Sequence, residues 1–290
     1  MSEQQDFPRA ITIVERARAQ EWLKSGIALF AAQRKTWMLM MLCLVVFGFI
    51  SMTLLSVIGV LAYKTLLPVF VAGMMYSCVL LEHEKPLSVL NLFDGFQNQL
   101  PQLIRTGLLY TCLHLISVLI LAWFFTANAG PLFIESLEKI ASVATEGGTP
   151  DLTTLVPPPP GILIKSAILW LFLSIPSLML LCFSPLLTRL YSVDTFTSLR
   201  LSFTAVWRNR SAFFTLALCL LFLLMVFMLP IMLLMFFLKL MSVTVAPLFL
   251  MMVYFIIMLI MRPILIASIY TAHKDIFTID SAPKKDILMA

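Results

Sequence analysis

The chain has 290 residues, of which 61% are apolar and only 12% are charged, and its formal net charge is +5. Charged residues make up about 25% of an ordinary soluble protein. A soluble fold of this length has too little interior to bury so much apolar surface, so the composition excludes a soluble enzyme, a disordered chain and a disulfide scaffold. It predicts an all-α membrane protein that crosses the bilayer several times.

A helix needs about 20 apolar residues to cross the hydrocarbon core of a membrane. Six segments meet this requirement, at residues 37–57, 60–81, 103–125, 162–187, 212–238 and 243–267. The first two follow each other closely and predict a hairpin with its turn near Ile58 and Gly59, because one helix of about 45 residues would be about 67 Å long. The sequence therefore predicts six transmembrane helices arranged as three hairpins.

Each hairpin is preceded by a polar segment in which apolar residues recur at helical spacing, which indicates a short amphipathic helix, here called an elbow. The apolar positions are Trp22, Gly26, Leu29, Phe30 and Trp37 in the first elbow; Val89, Leu92, Phe93, Phe96 and Leu100, after an N-cap at Ser88, in the second; and Phe196, Leu199, Phe203, Val206 and Trp207, after an N-cap at Asp194 or Thr195, in the third. Duplication of one unit would explain the three elbows, and so would convergence.

Basic residues beside an aromatic helix face are typical of helices that lie in the membrane interface. The candidate contacts with anionic lipid headgroups or with a partner are Arg34, Lys35, Arg200, Arg208 and Arg210. The simpler alternative is that the elbows only anchor and orient the hairpins that follow them.

These elements divide the chain into consecutive segments. They are an N-terminal amphipathic segment at 1–36, hairpin 1 at 37–81, an elbow at 82–102, hairpin 2 at 103–187, an elbow at 188–211, hairpin 3 at 212–267 and a tail at 268–290. Hairpin 2 carries an insertion at 126–161, in which Pro131 predicts a helix that runs to about Thr145 and prolines 157–160 predict an extended strut. The insertion is too short for a hydrophobic core of its own.

Lysine and arginine are distributed unequally between the two sides of this arrangement. Sixteen of the 20 lie with the two termini and the two elbows between hairpins: Arg9, Arg16, Arg18, Lys24, Arg34, Lys35, Lys85, Arg105, Arg189, Arg200, Arg208, Arg210, Arg262, Lys274, Lys284 and Lys285. Only Lys64, Lys139, Lys165 and Lys239 lie on the opposite side. Because basic residues accumulate on the cytoplasmic side, both termini are predicted to be cytoplasmic. The polar first 36 residues also argue against a cleavable signal peptide.

The sequence contains none of the common catalytic motifs, and none of its acids lies inside a predicted span, so we expect a protein that is not an enzyme and holds no metal or other cofactor. His114, halfway along the third span, is the candidate intramembrane polar site. It could serve a function, or it could simply bond to Tyr110, Ser117 or a backbone carbonyl. A methionine stripe could bind Cu(I), although packing is the better interpretation; it consists of Met225, Met228, Met232 and Met235.

Three stretches resemble a known group of proteins. They are the W-x-x-x-G-x-x-L-F motif within residues 21–30, the P-V-F-x-x-G motif at 68–73 and the L-F-x-G-F motif at 92–96. They are similar to uncharacterised proteobacterial inner-membrane proteins founded on a Burkholderia locus. Ile27 departs from the second tryptophan of that group, and the insertion at 126–161 is atypical. The resemblance implies a six-span bundle in a bacterial inner membrane and implies no activity.

The sequence therefore favours a non-enzymatic factor that assembles or organises other membrane components. Its expected partners are the lipid bilayer, with its anionic headgroups at the cytoplasmic face, and a membrane protein, and nucleic acid is not expected. The alternative is a permease for a small or lipid-like solute, which is suggested by His114 and by prolines that can kink the spans. Those prolines are Pro68, Pro176, Pro185, Pro230, Pro247 and Pro263.

Overall fold

The computed structural model describes residues 11–149, 151–240 and 246–277, and these are helical without any strand. The helices are α1 Arg18–Ala32, α2 Arg34–Glu82, α3 Asp94–Gln97, α4 Leu100–Asn128, α5 Pro131–Thr145, α6 Ile162–Leu181, α7 Ser184–Tyr191, α8 Thr195–Arg208, α9 Arg210–Leu240 and α10 Ala246–Ile276. Five helical segments are long and apolar enough to cross a membrane, so the chain is a multi-pass membrane protein. The start of the predicted sixth span (243–245), residues 1–10 and the tail from 278 lie outside the described residues.

The described residues form two compact units. The first unit contains the residues up to Leu108 together with those from Met179 onward, and the second contains Leu109–Leu178. The contacts among α1, α2, α3, α7, α8, α9 and α10 lie within the first unit.

Helix α2 folds back on itself at Ser56, whose backbone is not helical (φ 50°, ψ −128°). The rings of Phe47 and Tyr63, before and after this break, have centroids only 6.2 Å apart. The start and the end of α2 also lie close together. The amide of Leu87, in the turn after the helix, donates to Oε1 of Gln33, the residue before it, at 3.1 Å. A straight helix of 49 residues would be about 73 Å long. The chain therefore reverses two residues before the predicted turn, giving a first arm (34–55) and a second arm (57–82).

Methionine fills much of the core between these arms. Met40 and Met41 in the first arm and Met74 and Met75 in the second are each at most 1% exposed. The core also includes residues from the turn after α2, from α7 and from α10. Flexible thioether side chains pack well between irregular helix surfaces. The buried methionines are thus not the α9 stripe noted in the sequence, where Met225 is 59% exposed.

Helix α1 packs on α10 and α9, with Ala19, Trp22 and Gly26 buried. A methyl group added at Gly26 would lie 2.2 Å from Ser268 Oγ and 2.8 Å from the Ser268 backbone nitrogen. The two backbones therefore cross where only glycine fits. The first predicted elbow ended at Trp37, but the helix ends at Ala32 and Trp37 belongs to the core of α2.

The second predicted elbow is not one continuous helix. Ser88 does form the predicted N-cap, since its hydroxyl accepts from the Leu90 amide at 3.3 Å, but the following turn is a 3₁₀ helix, Val89–Phe93, and only four residues of α-helix follow. Asn98 is extended and Gln99 has a φ of 57°, which ends the segment before α4 begins at Leu100. Packing of this turn on α2 overrides the local helical pattern.

The second unit contains the insertion between the predicted third and fourth spans. Its helix α5 runs from Pro131 to Thr145, as the sequence predicts. Glu135 and Lys139 form the expected surface ion pair at 3.0 Å. Ser136 ties the helix to the chain that returns from it, because its hydroxyl accepts from the Val156 amide at 3.2 Å. The insertion is therefore a small folded cap rather than an open loop.

Two of the long helices differ from the predicted spans near residue 180 and residue 270. The predicted fourth span is interrupted between α6 and α7, and the Ser202 hydroxyl bridges the interruption by accepting from the Phe183 amide at 2.9 Å and donating to the Met179 carbonyl at 2.7 Å. Helix α10 continues to Ile276, nine residues beyond the predicted end of the sixth span at 267, because its last turns are packed against α1 and α2.

Candidate functional site

Charged side chains of different helices meet at one end of the first unit, where α2, α7 and α10 finish. Among the described residues, five ion pairs occur, and three of them join separate elements. These three are Arg18 with Asp275, Lys274 with Glu82, and Arg189 with Asp94. We call this cluster of six residues the ionic end, and it is the candidate functional region of the bundle.

The pair between Arg189 and Asp94 is the most buried of the three. The two side chains are 15% and 14% exposed, and Arg189 Nη2 donates to Asp94 Oδ1 at 3.1 Å in addition to the bond from its Nε. The guanidinium also lies 4.2 Å from the centre of the Tyr76 ring. A two-pronged ion pair under an aromatic ring fixes the orientation of both partners. This pair joins α7 and the second elbow to the second arm of α2.

The other two pairs line a groove of about 490 Å³ between α1, α2 and α10. Asp275 accepts from Arg18 Nη2 at 2.7 Å and from Trp22 Nε1 at 2.6 Å. Glu82 accepts from Lys274 at 2.7 Å and from the Tyr270 hydroxyl at 2.8 Å. Both carboxylates therefore already have cationic and neutral donors, and their first role is to hold the three helices together.

The N-terminal stretch before α1 is held at the same end by Asn209, which is 1% exposed. Its amide oxygen accepts from the Val14 amide at 2.8 Å, and its amide nitrogen donates to the carbonyls of Thr12 and Ala205 at 3.1 and 3.0 Å. The Thr12 amide in turn donates to the Ile276 carbonyl at 2.8 Å. Asn209, at the C-terminal end of α8, therefore ties the N-terminal stretch to that helix.

Helix α8 presents an exposed face that combines arginine with aromatic side chains. Phe196 is 74% and Trp207 is 56% exposed, and Arg200 lies between them on the same stripe. The rings of Phe203 and Trp207 stack with centroids 6.2 Å apart, and the Arg210 guanidinium carbon lies 6.0 Å from the Trp207 ring centre. We call Phe196, Arg200, Phe203, Trp207 and Arg210 the α8 face.

The opposite side of α8 is buried and consists mainly of small and hydroxyl side chains, so α8 is attached firmly while its α8 face stays open. The buried residues are Thr195, Ser198, Leu199, Ser202, Ala205 and Val206. Asp194 forms the predicted N-cap, and its carboxylate accepts from the Thr197 amide at 3.1 Å. The Thr197 side chain, followed by this amide, lowers the pKa of Asp194 below its ordinary value. The predicted apolar face is thus divided, because Leu199 and Val206 are buried whereas Phe196 and Trp207 are exposed.

The five basic residues that the sequence proposed as contacts are all exposed. Arg34 and Lys35 lie at the start of α2, whereas Arg200, Arg208 and Arg210 lie on α8 and at the start of α9. The structure brings Arg200 and Arg210 together on the α8 face. Arg208 is also exposed but points away from the stripe by helical spacing.

His114 is half-buried on α4 in the second unit and stacks on Tyr110 of its own helix, with ring centroids 6.2 Å apart. Among the described residues, no three His, Cys, Asp or Glu side chains lie close enough to hold a metal ion. Tyr110 is one of the neighbours that the sequence named for His114, and the two rings meet by stacking.

Two polar residues of α10 were missed by the sequence analysis. His273 is 4% exposed among the rings of Phe183, Tyr191 and Phe277, and neither of its ring nitrogens has a hydrogen-bond partner among the described residues. It fell in the segment interpreted as a tail. Arg262 was counted with the cytoplasmic residues, and the structure places it inside α10. Helical periodicity continued beyond residue 267 would have placed His273 on the same helix.

Comparisons with known proteins give no relative. No family model matches the chain, and neither the curated proteins nor the solved structures contain a significantly similar one.

Proposed function

We propose that this chain is a bacterial inner-membrane protein with six crossings in three hairpins and with both termini in the cytoplasm. The reversal of α2 at Ser56 supports two crossings by that helix. The excess of lysine and arginine near the helix ends that form the ionic end supports a cytoplasmic position for that end. The resemblance of three short sequence motifs to the proteobacterial inner-membrane group supports the same location.

Within this topology, we propose that the protein is a non-enzymatic factor that organises or assembles other membrane components. The observation that carries this proposal is the α8 face, where two large aromatic side chains and two arginines are exposed on a helix whose other side is firmly buried. Exposed tryptophan and arginine are the residue types that most often dominate protein interfaces. Each arginine near an anionic membrane also contributes about 1 kcal/mol of attraction.

Site-specific photo-crosslinking tests this proposal in living cells. A photoreactive phenylalanine derivative placed at Trp207 is expected to form an adduct with one defined membrane protein. The same group at Leu132, which is 66% exposed on α5, is the matched control and is expected to form none. The triple variant Arg200→Gln/Arg208→Gln/Arg210→Gln should lower the yield at Trp207 at least about tenfold.

The charge-matched control for the triple variant is Arg105→Gln/Lys139→Gln/Lys165→Gln, at three exposed positions outside the α8 face, and it should keep the full yield. The proposal is contradicted if Trp207 acquires only lipid adducts, or if the triple variant crosslinks as well as the unmodified protein.

A permease for a small or lipid-like solute is the second candidate function. It is favoured by one observation, the position of Arg262 inside α10 next to Pro263. Ionisable residues within a span and helices interrupted by proline are common at the binding sites of transporters. The permease becomes the better proposal if photo-crosslinking at Trp207 finds no protein partner.

A further inference from the structure

Residues 11–14 belong to no helix, and their backbone is bonded to the ends of two helices that lie far away in the sequence. The Val14 amide donates to Asn209 Oδ1 at 2.8 Å, and Asn209 Nδ2 donates to the Thr12 carbonyl at 3.1 Å. The Thr12 amide donates to the Ile276 carbonyl at 2.8 Å. We call residues 11–14 the N-terminal strap.

Asn209 meets the strap as the peptide group of a neighbouring strand would, since its side-chain amide bonds with one N–H and one C=O of the strap. Exchanging its oxygen and nitrogen would set an N–H against the Val14 N–H, so these bonds fix the orientation of the amide. Bonds to the backbone provide affinity for a peptide of any sequence, and contacts with its side chains provide specificity.

The end of α10 supplies the other backbone contact. Ile276 is the last residue of that helix, and the last four carbonyls of a helix have no partner within it. The Thr12 amide therefore satisfies an acceptor that the helix itself leaves open. Together, Asn209 and Ile276 present an acceptor, a donor and a second acceptor to the backbone of the strap.

The side chains of the strap are divided between buried and exposed positions. Ile11 and Val14 are half-buried and pack against the apolar cluster formed by α1, α8, α9 and α10. Ile13 is 63% exposed, although it is as apolar as its neighbours. The contacts therefore select branched aliphatic side chains at the first and fourth positions and place no such requirement on the third.

The groups that bind the strap are held in position by other parts of the chain. Asn209 Nδ2 also donates to the Ala205 carbonyl at 3.0 Å, and the Asn209 carbonyl accepts from the Ala212 amide at 3.0 Å. Asp275, next to Ile276, accepts from Trp22 Nε1 at 2.6 Å. None of these bonds involves the strap, so the site keeps its shape when the strap leaves it.

We propose that the ends of α8 and α10 form a binding site for a short non-helical peptide segment with branched aliphatic residues at its first and fourth positions. The strap occupies this site as an intramolecular ligand, and a segment of a membrane-protein partner with the same pattern displaces it. A few hydrogen bonds and two half-buried side chains hold the strap, so it can open locally while the bundle stays folded. The site is distinct from the α8 face, and its test is independent of the crosslinking at Trp207.

Binding of a fluorescent peptide with the sequence of residues 9–17 to the full chain in phosphatidylcholine nanodiscs tests the inference. The variant Thr12→Pro/Val14→Pro lacks both amide donors of the strap, which leaves the site open, and it should bind the peptide saturably. The unmodified protein should bind at least about tenfold more weakly, because its own strap competes at a high effective concentration. Adding Asn209→Ala to the proline variant should weaken binding at least about tenfold.

Changes in the peptide provide matched controls that leave the protein untouched. The peptide change Val14→Ser should weaken binding to the proline variant at least about tenfold, and so should N-methylation of both Thr12 and Val14. The same serine substitution at Ile13 should have no effect, since this side chain is exposed in the strap.

Three results in the peptide assay would overturn the inference. They are no saturable binding by a folded proline variant, equal binding by that variant and the unmodified protein, and equal losses for the Val14→Ser and Ile13→Ser peptides. If the proline variant does not fold, hydrogen exchange of the unmodified protein decides. The amides of Thr12 and Val14 should exchange at least about a hundredfold faster than those in the buried part of α10. Equal exchange rates would show that the strap does not open and would overturn the inference.

Discussion

Replacing Asp94 by alanine is expected to destabilise the protein by about 3–5 kcal/mol, the largest effect of any single charge. The variant leaves the guanidinium of Arg189 in place, only 15% exposed and without its carboxylate. Removing one partner of a buried pair costs more than the pair itself contributes, because the remaining charge has neither water nor a counter-ion. The measurement is the thermal unfolding of the detergent-solubilised protein, followed by near-ultraviolet circular dichroism.

The exposed ion pair of α5 provides the matched control for Asp94→Ala. Glu135 and Lys139 are 61% and 74% exposed, and a surface pair of this spacing contributes about 0.5 kcal/mol or less. Glu135→Ala should therefore leave the unfolding temperature almost unchanged. Equal losses in the two variants would show that Arg189 and Asp94 do not hold the second elbow against α2.

The second large effect is expected for Gly73→Ala in the second arm of α2. A methyl group at this position would lie 2.5 Å from the carbonyl oxygen of Asn91 and 2.6 Å from that of Leu92. Both contacts are with backbone, which cannot move aside as the end of a side chain can. Alanine gains up to about 1 kcal/mol over glycine in a helix, but overpacking of this kind costs about 1–3 kcal/mol or more. We expect a net loss of at least about 1 kcal/mol, measured by the same unfolding experiment.

Gly148→Ala is the comparison for this second variant. The nearest atom to a methyl group at Gly148 is the side-chain carbon Cγ1 of Val143, at 2.9 Å, and a rotation of that side chain relieves the contact. Its unfolding temperature should stay close to that of the unmodified protein. A Gly73→Ala variant as stable as Gly148→Ala would contradict the close approach of the second elbow to α2.

Local signals in the sequence predicted local structure well. The helix predicted to begin at Pro131 and to run to about Thr145 has these two bounds, and Ser88 and Asp194 form the N-caps expected of them. The α-helical structure of the long apolar segments was predictable, because apolar runs of this length have few alternatives in a membrane. The second elbow was predicted as one helix because its packing on α2, through Gly73 and Gly95, leaves no mark in helical periodicity.

The charged contacts of the ionic end could not be predicted in the same way. Arg18 and Asp275 are 257 positions apart, and Asp94 and Arg189 are 95 apart. Spacing along the chain gives no information about such pairs, and each residue alone has the pattern of an ordinary surface charge. Arg262 was counted with the cytoplasmic charges although it falls inside the predicted sixth span, and α10 continues for 14 residues beyond it.

Gly26, Gly73 and Gly95, the glycines of the three sequence motifs within residues 21–30, 68–73 and 92–96, all lie where two backbones approach closely. Gly26 meets α10, Gly73 meets the turn after α2, and Gly95 meets the Val69 carbonyl, which would lie 2.4 Å from an added methyl group. In this chain the motifs therefore specify helix packing, and the exposed α8 face lies outside those three motifs.

Accessibility of single cysteines is the most direct test of the central claim, that the chain crosses the membrane six times with the ionic end in the cytoplasm. In a variant without the five native cysteines, a membrane-impermeant maleimide added outside the inner membrane should label Val57→Cys and Glu146→Cys. Lys24→Cys and Lys85→Cys should react only after that membrane is opened. Labelling of Lys85→Cys from outside with protection of Lys24→Cys would mean that α2 crosses once, and would contradict the account.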